Sequence, residues 1–281
     1  MATTTDGTAV PETARRPAAE DADVDSLEAR MQTAERFTEA LERDQFTLFA
    51  QPIAPLAPEQ KGRRHLEIFV RFREEEEHLL PPGTFFPILE ANHLTPQLDR
   101  WEVGKVLRWA AEKRLTKIDW QVPTFAINLA DDTLEDEDFA IHVFDSLTEA
   151  HIPPDRLWFE ITVEQLKGRR EAAERTIVDL NGLGCAVALC DFAGGDAEAK
   201  DCAGSGVKLV KLAGSLLRDI TKNAKVLSAL LATNTASHKA GLRTIAQFVE
   251  TTEALTLVRK AGVDYAQGFR VAMPVPLALL N

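Results

Sequence analysis

The sequence predicts an α/β barrel of about eight strands, and three observations carry that prediction. Short apolar runs rich in Phe, Val and Ile recur along the chain. Stretches with helical periodicity lie between most of them, the pattern of a parallel sheet closed on itself. No Gly-x-Gly-x-x-Gly follows the first run to favour an open, doubly wound sheet instead. A barrel of this kind takes about 250 residues, close to what remains of the 281 once a polar N-terminal stretch is set aside.

Residues 1–25 are Thr, Ala, Glu, Pro and Asp with few large apolar side chains. They cannot offset the entropy of ordering and read as a disordered tail. Over residues 26–44, Leu27, Met31, Ala34, Phe37 and Leu41 recur at spacings of three and four, which predicts an amphipathic helix. Two uses fit it: packing on the domain beside it, or dimerising and carrying a signal. The barrel domain then runs over residues 45–281. Its strands are expected at 46–53, 66–72, 124–129, 157–162, 186–192, 207–212, 243–248 and 264–269, with helices at 97–113, 138–150, 165–180, 223–240 and 252–260. The acidic run from Glu74 to Glu77 reads as a solvated loop. Trp101, Trp109, Trp120 and Trp158 read as residues packing helices on the barrel, and the six histidines show no metal spacing.

Composition excludes whole classes of function. With 45% hydrophobic and 27% charged residues the chain is ordinary globular material, neither wholly disordered nor fibrous. A net charge of −12 argues against broad electrostatic binding to DNA or to anionic lipid, while a local basic pocket for a small anion is compatible with it. Cys185, Cys190 and Cys202 form no CxxC pair and no disulfide framework, so a reducing, cytoplasmic setting is expected. There is no run of about 18 apolar residues to span a membrane, and no basic-then-apolar leader pattern.

In a barrel of this type the site lies at the C-terminal ends of the strands. Polar residues fall there on nearly every strand: Gln51, Glu67, Arg71, Asn128, Glu160, Asp191, Lys211, Gln247, Glu250 and Gln267. One such residue is unremarkable as a solvated or loop-capping group, but a full ring of them on one face is not. Carboxylates with an amide oxygen are the hard donors that Mg or Mn prefers, an arrangement suited to phosphodiester chemistry with two metals.

A family resemblance rests on these residues and their neighbours. Gln51-Pro52-Ile53, Glu67-Ile68-Phe69-Val70-Arg71, Phe85-Phe86-Pro87 with Glu90, and Leu98-Asp99-Arg100-Trp101 come first. Asn128-Leu129-Ala130, Phe159-Glu160-Ile161-Thr162, Asp191-Phe192, and Lys211 to Ser215 follow. Ala246 to Glu250, Gln267-Gly268-Phe269 and a late Pro274 complete the series. Over about residues 42–278 the chain resembles the EAL domain family, which hydrolyses cyclic di-GMP. The resemblance implies a TIM-like (β/α)8 barrel whose first strand is antiparallel to the rest.

The departures from the family pattern bear on activity. The family's Asp-Asp-Phe-Gly-Thr-Gly run is Cys190-Asp191-Phe192-Ala193-Gly194-Gly195 here, so the shared metal ligand is replaced by Cys190. A thiol is a poor partner for Mg or Mn. Val163 and Ala213 stand where the family has carboxylates, and Gln247 replaces its candidate general base. An amide cannot take a proton from water near neutral pH. The resemblance thus implies a member with no catalytic residues, no metal and no cofactor, a degenerate phosphodiesterase similar to metal-independent cyclic di-GMP receptors; the alternatives are a protein-interaction module that no longer binds nucleotide and a weak residual cyclic di-GMP phosphodiesterase.

Binding asks for less than catalysis. Arg71 is suited to pair with a phosphate in fork geometry. Glu67, Asp99 or Glu250 can accept the N1 and N2 hydrogens of guanine, and Phe69 and Phe248 can stack on the base. Gln51, Asn128, Glu160, Asp191, Gln267 and Gly268 complete the expected binding face. For Phe69 and Phe248 core packing is an equal alternative, and for Asp99 the alternative is capping a following helix. The partners implied are cyclic di-GMP and a protein effector of the type IV pilus or motility kind. A homodimer is left open, because residues 194–200 replace the family's dimer-organising loop.

Overall fold

The computed structural model describes residues 34–43, 45–56, 62–75, 78–80, 82–116 and 120–280. The expected tail, and residues 26–33 of the expected first helix, lie outside these. Helix α1 (Ala34–Glu42) leads into β1 (Phe46–Pro55) and β2 (His65–Glu75), with β3 (His78–Leu80), α2 (Pro82–Ala91) and α3 (Thr95–Thr116) after them. Then come β4 (Thr124–Asn128), α4 (Asp131–Glu135), α5 (Phe139–Ala150), β5 (Leu157–Thr162), α6 (Val163–Gly168) and α7 (Arg170–Leu183). The last part holds β6 (Ala186–Phe192), α8 (Asp196–Gly204), β7 (Leu209–Leu212), α9 (Ala224–Lys239), β8 (Arg243–Ala246), α10 (Thr252–Lys260), β9 (Tyr265–Ala266) and β10 (Val275–Pro276).

The sheet order β10-β1-β9-β8-β7-β6-β5-β4-β2-β3, with β1 also paired to β2, closes a barrel. β1 is antiparallel to β2, from Phe46↔Phe72 to Ile53↔His65, and antiparallel to β9. From β2 onward through β4 to β9 the barrel pairings are parallel. β9 is short and meets β1 only at Ala54 and Pro55, so β10 takes over the rest of that edge through Phe49↔Pro276 and Ala50↔Val275. Without β10 the upper half of β1 would present unpaired backbone groups, which are costly when buried.

Alternation along the strands builds two cores. Outward-facing Phe125, Ile127, Phe159, Ile161, Val187, Leu189 and Val210 are buried beneath the helices. Inward-facing Ile53, Ala126, Trp158, Ala188, Leu209, Ile245 and Tyr265 fill the base of the barrel. His65 joins that base layer, stacked on Trp158 at 4.6 Å and edge-on to Tyr265 at 5.1 Å. Helix α1 packs Phe37 and Ala40 onto the outer core, with Phe37 5.8 Å from Phe46. Its buried face is thus taken by the barrel beside it.

Several expected boundaries are corrected. The single helix expected over 165–180 is two helices, broken at Arg169, because a capping box between Thr162 and Gln165 starts α6 directly at the strand end. The acidic run read as a loop belongs to strand β2 as far as Glu75, the strand then turning back through β3; residues 76 and 77 lie outside the described residues. β8 and β9 end at Ala246 and Ala266, short of the expected 248 and 269. The ladder stops there because Phe248 and Gly268 adopt positive φ, 56° and 147°. Trp158 sits inside the barrel and not between helix and sheet. Helices α2, α4 and α8, strand β10 and the one-turn helices Pro154–Arg156, Gly214–Leu216 and Leu277–Leu279 were not expected.

Candidate functional site

Two residues beyond the base layer, on the same inward faces, the barrel becomes polar. Glu67 stands above His65, Asn128 above Ala126, Glu160 above Trp158, Cys190 above Ala188, Lys211 above Leu209 and Gln267 above Tyr265. Gln51 joins them because it is the cross-strand partner of Glu67. These groups form a closed network. Lys211 Nζ lies 2.9 Å from Glu67 Oε2 and donates to Glu160 Oε2 at 2.8 Å. Asn128 Nδ2 donates to Glu67 Oε1 at 3.2 Å. Gln267 Nε2 donates to Glu67 Oε2 and, at 3.0 Å, to Gln51 Oε1. Gln51 Nε2 in turn donates to the Ala272 carbonyl at 3.0 Å, and the Cys190 thiol to Glu160 Oε2 at 3.4 Å. Glu160 Oε1 and Gln267 Oε1 are the buried acceptors of this network left without a partner.

Burial and charge set the protonation. Burial alone would raise Glu67, but the Lys211 ammonium and three side-chain hydrogen bonds hold it below the usual carboxylate value. Glu160 goes the other way, pushed to about 7 by burial and by the Glu67 charge despite Lys211. Lys211 resists burial and stays charged, its pKa raised by Glu160 and Glu67. The Cys190 thiol is pushed well up, first by burial and then by Glu160, so it is a neutral donor. Among the described residues no group of three His, Cys, Asp or Glu side chains is arranged to hold a metal ion.

Above this floor the rim opens. On β2, Phe69 and Arg71 continue the inward face, opposite Phe49 and Thr47 of β1. The Arg71 guanidinium lies 5.8 Å from the rings of both Phe49 and Phe69 and donates to the Val70 carbonyl at 2.9 Å. No carboxylate among the described residues pairs with it. Phe69, Asn128 and Glu160 share a pocket of about 260 Å3 with Asp99 and Glu102. Asp191 is exposed, with φ of 58°, and turns toward Thr162, Val163 and Lys167, where a cleft of about 610 Å3 opens. Gln247 leans on that residue, donating to Asp191 Oδ1 at 3.4 Å and to the Leu212 carbonyl at 3.0 Å. Phe248 and Glu250 line a separate pocket of about 490 Å3 with Gly214, Arg218 and Thr251.

The expected binding face is therefore divided. Gln51, Glu67, Asn128, Glu160 and Gln267 form the floor, Phe69 and Arg71 one side of the rim, and Asp191, Phe248 and Glu250 the other. Two of the expected contact residues also have structural work. Asp99 is buried, and its Oδ2 accepts from Ala130 N at 2.9 Å and Thr133 Oγ1 at 2.6 Å, which anchors the start of α4. Burial lifts its carboxyl to about 7. Gly268 backs onto the Val249 backbone, where a Cβ would come within 2.3 Å, so it is the point at which the loops after β8 and β9 close together. Ala213 is buried beneath the rim and Val163 half-buried beside Asp191, where neither offers a polar group. Sequence reasoning missed Glu102, a buried acid whose pKa is driven well up by burial and by Asp99 and Glu67. Its place on the α3 face beside Asp99 was legible as helical spacing, but not its burial.

Comparison with known proteins agrees with this architecture. The EAL domain of Xanthomonas citri FimX, solved in complex with c-diGMP, superposes with a TM-score of 0.79 at 23% identity over 94% of this chain and 98% of that one. That likeness is one of fold. Among curated proteins, cyclic di-GMP phosphodiesterase PdeF of Escherichia coli (strain K12) is 28% identical over 89% of this chain. Cyclic di-GMP phosphodiesterase PdeB of Shewanella oneidensis is 29% identical over 87%. The matched stretch spans 33% of the first and 28% of the second, about a third of their length. Residues 34–274 match the EAL domain family, and the chain belongs to it.

Proposed function

We propose that this chain is a cyclic di-GMP receptor, binding the dinucleotide at the barrel mouth without metal, leaving it uncut, and signalling to a protein partner. The observation that carries the reading is Arg71, a cation at the rim between two aromatic rings with no carboxylate to neutralise it among the described residues. A phosphate is the natural occupant of such a place, held in fork geometry. The floor supports the absence of cutting. Hydrolysis with two metals needs a shared anionic ligand and a base for the attacking water. Cys190 is a neutral thiol donor where the shared ligand would stand, so the donor set fits a pair of Mg or Mn ions poorly. Gln247, beside Asp191, cannot accept a proton. The FimX domain of Xanthomonas citri, similar in fold, was solved with c-diGMP bound, which supports the choice of ligand.

Titration calorimetry of the full chain with cyclic di-GMP in EDTA tests this. Saturable binding is expected, with Arg71→Ala weakening it by about 10-fold or more. Absence of heat from folded protein at tens of micromolar overturns the reading. A second reading, weak residual phosphodiesterase activity, draws on the retained Glu67, Asn128, Glu160 and Asp191 and on the phosphodiesterases among the relatives. Incubation with Mn and chromatography for the linear dinucleotide separates the two: steady turnover favours the second.

A further inference from the structure

The end of the barrel opposite the mouth gathers arginines, in a chain whose net charge is −12. Arg63 stands two residues before β2, Arg156 immediately before β5, and Arg243 is the first residue of β8. Arg63 Nη1 donates to Asp155 Oδ2 at 3.1 Å, and Arg156 Nε lies 3.2 Å from Asp155 Oδ1, so two guanidiniums share one carboxylate. Arg243 comes from across the barrel. Its guanidinium lies 5.9 Å from the rings of both Trp158 and Tyr265 and donates to the Tyr265 hydroxyl at 3.0 Å. No carboxylate among the described residues pairs with it. Asp264, the other acid at this end, is turned to His238 and to Thr244 N, each at 2.8 Å. His65, stacked on Trp158, has a buried Nδ1 with no partner, and Arg156 Nε is buried without an aligned hydrogen bond. Burial first, then the charges of Arg63, Arg243 and Arg156, hold the His65 pKa down at about 4, so all three guanidiniums are within electrostatic reach of that ring.

Three guanidiniums around one carboxylate leave two positive charges uncompensated. Like charges held together on a partly desolvated surface repel, and an anion that joins them removes that cost. Guanidinium forks pair with phosphate oxygens in parallel hydrogen bonds, and a terminal phosphate carries about −1.5 to −2 at pH 7. A carboxylate, with one charge, would leave the site half neutralised. We propose that Arg63, Arg156 and Arg243 form an anion site at the base of the barrel that takes a terminal phosphate group. Arg243 holds it from one wall, and the Arg63–Asp155–Arg156 bridge holds it from the other. A cyclic dinucleotide carries only phosphodiesters, each with a single charge, so the base and the mouth take different ligands. This site goes beyond the receptor reading and does not depend on it.

The test titrates inorganic phosphate into the full chain at neutral pH, against potassium chloride at matched ionic strength, and reads the His65 ring protons by NMR together with Tm. Saturable movement of the His65 resonances is expected, with Tm raised by about 2–4 °C at roughly five times the dissociation constant. Arg243→Gln and Arg63→Gln, each melted without phosphate to confirm folding, are expected to weaken binding about 10-fold or more. Arg71→Ala, at the mouth, is expected to leave the His65 response intact. O-phosphoserine in place of inorganic phosphate separates the two sources of the group: weaker binding marks the free ion as the occupant, and equal or tighter binding marks a monoester. His65 resonances that respond to phosphate no more than to chloride, or that respond undiminished in both arginine variants, overturn the inference. No dinucleotide enters any arm, so that failure leaves the receptor reading in place.

Discussion

Two layers inside the barrel lie two residues apart on the same strands and have opposite characters. The base layer is Trp158, Tyr265, Ile53 and their aliphatic neighbours, with Trp158 and Tyr265 packed edge to face. The layer above it holds Glu67, Glu160 and Lys211 in a network with amides and a thiol. The difference teaches where this chain spends stability on function. The base is filled with apolar groups that have no alternative use, whereas a buried ion-paired layer is at best weakly favourable compared with apolar packing. Under the receptor reading, this layer serves as the support for the open rim with Arg71 directly above it.

The largest expected effect breaks the polar layer. Lys211→Met leaves two buried carboxylates without their cation, and a loss of about 3–5 kcal/mol is expected in urea unfolding at pH 7. A loss under about 1 kcal/mol would mean that the layer is hydrated and not a closed network.

Next comes the pH dependence, where the two layers are expected to oppose each other. Burial, with the charges of Arg63, Arg243 and Arg156, holds His65 down at about 4 against an unfolded value of 6.5. A depressed histidine contributes stability above its unfolded pKa and loses it as pH falls from about 6.5 to 4. The loss is of order 3 kcal/mol from a shift of this size. His65→Phe should flatten that acid limb when unfolding is compared at pH 7 and 4.5; an unchanged slope would assign the limb elsewhere.

The smallest effect sharpens the contrast. Glu160 is raised, so its contribution is complete below the unfolded carboxylate value and lost as pH climbs through about 7. Glu160→Gln is accordingly expected to cost less stability at pH 8 than at pH 5. Equal costs at the two pH values would show that Lys211 keeps this carboxylate ionised throughout.

Much of this was legible in the sequence. The period of two that places Glu160 above Trp158 and Lys211 above Leu209 is a property of any strand, and it gave the polar strand ends, but it was not carried through to Trp158, which shares the inward face of Glu160 and was read as packing helices. What was hidden depended on backbone conformation and on distant partners. Nothing in the residue types at 191 and 248 announces a left-handed backbone, yet those two turns divide the rim into separate pockets. Asp99 looked equally suited to guanine or to a cap, and its anchoring of Ala130 and Thr133, about thirty residues on, was not visible in the sequence. The break at Arg169 escaped notice because apolar spacing continues across it, while the Thr162–Gln165 capping box that starts α6 is a short-range signal.

The Gln51 side chain reaches the Ala272 carbonyl across a sequence separation of 221, and β10 lies along the same strand. Contacts so far apart in sequence carry a large loop-closure entropy and slow folding accordingly. β1 can pair with β2 through a local connection, but its other edge must wait for β9 and β10. That seam of the mouth is thus expected to close after the β1–β2 hairpin.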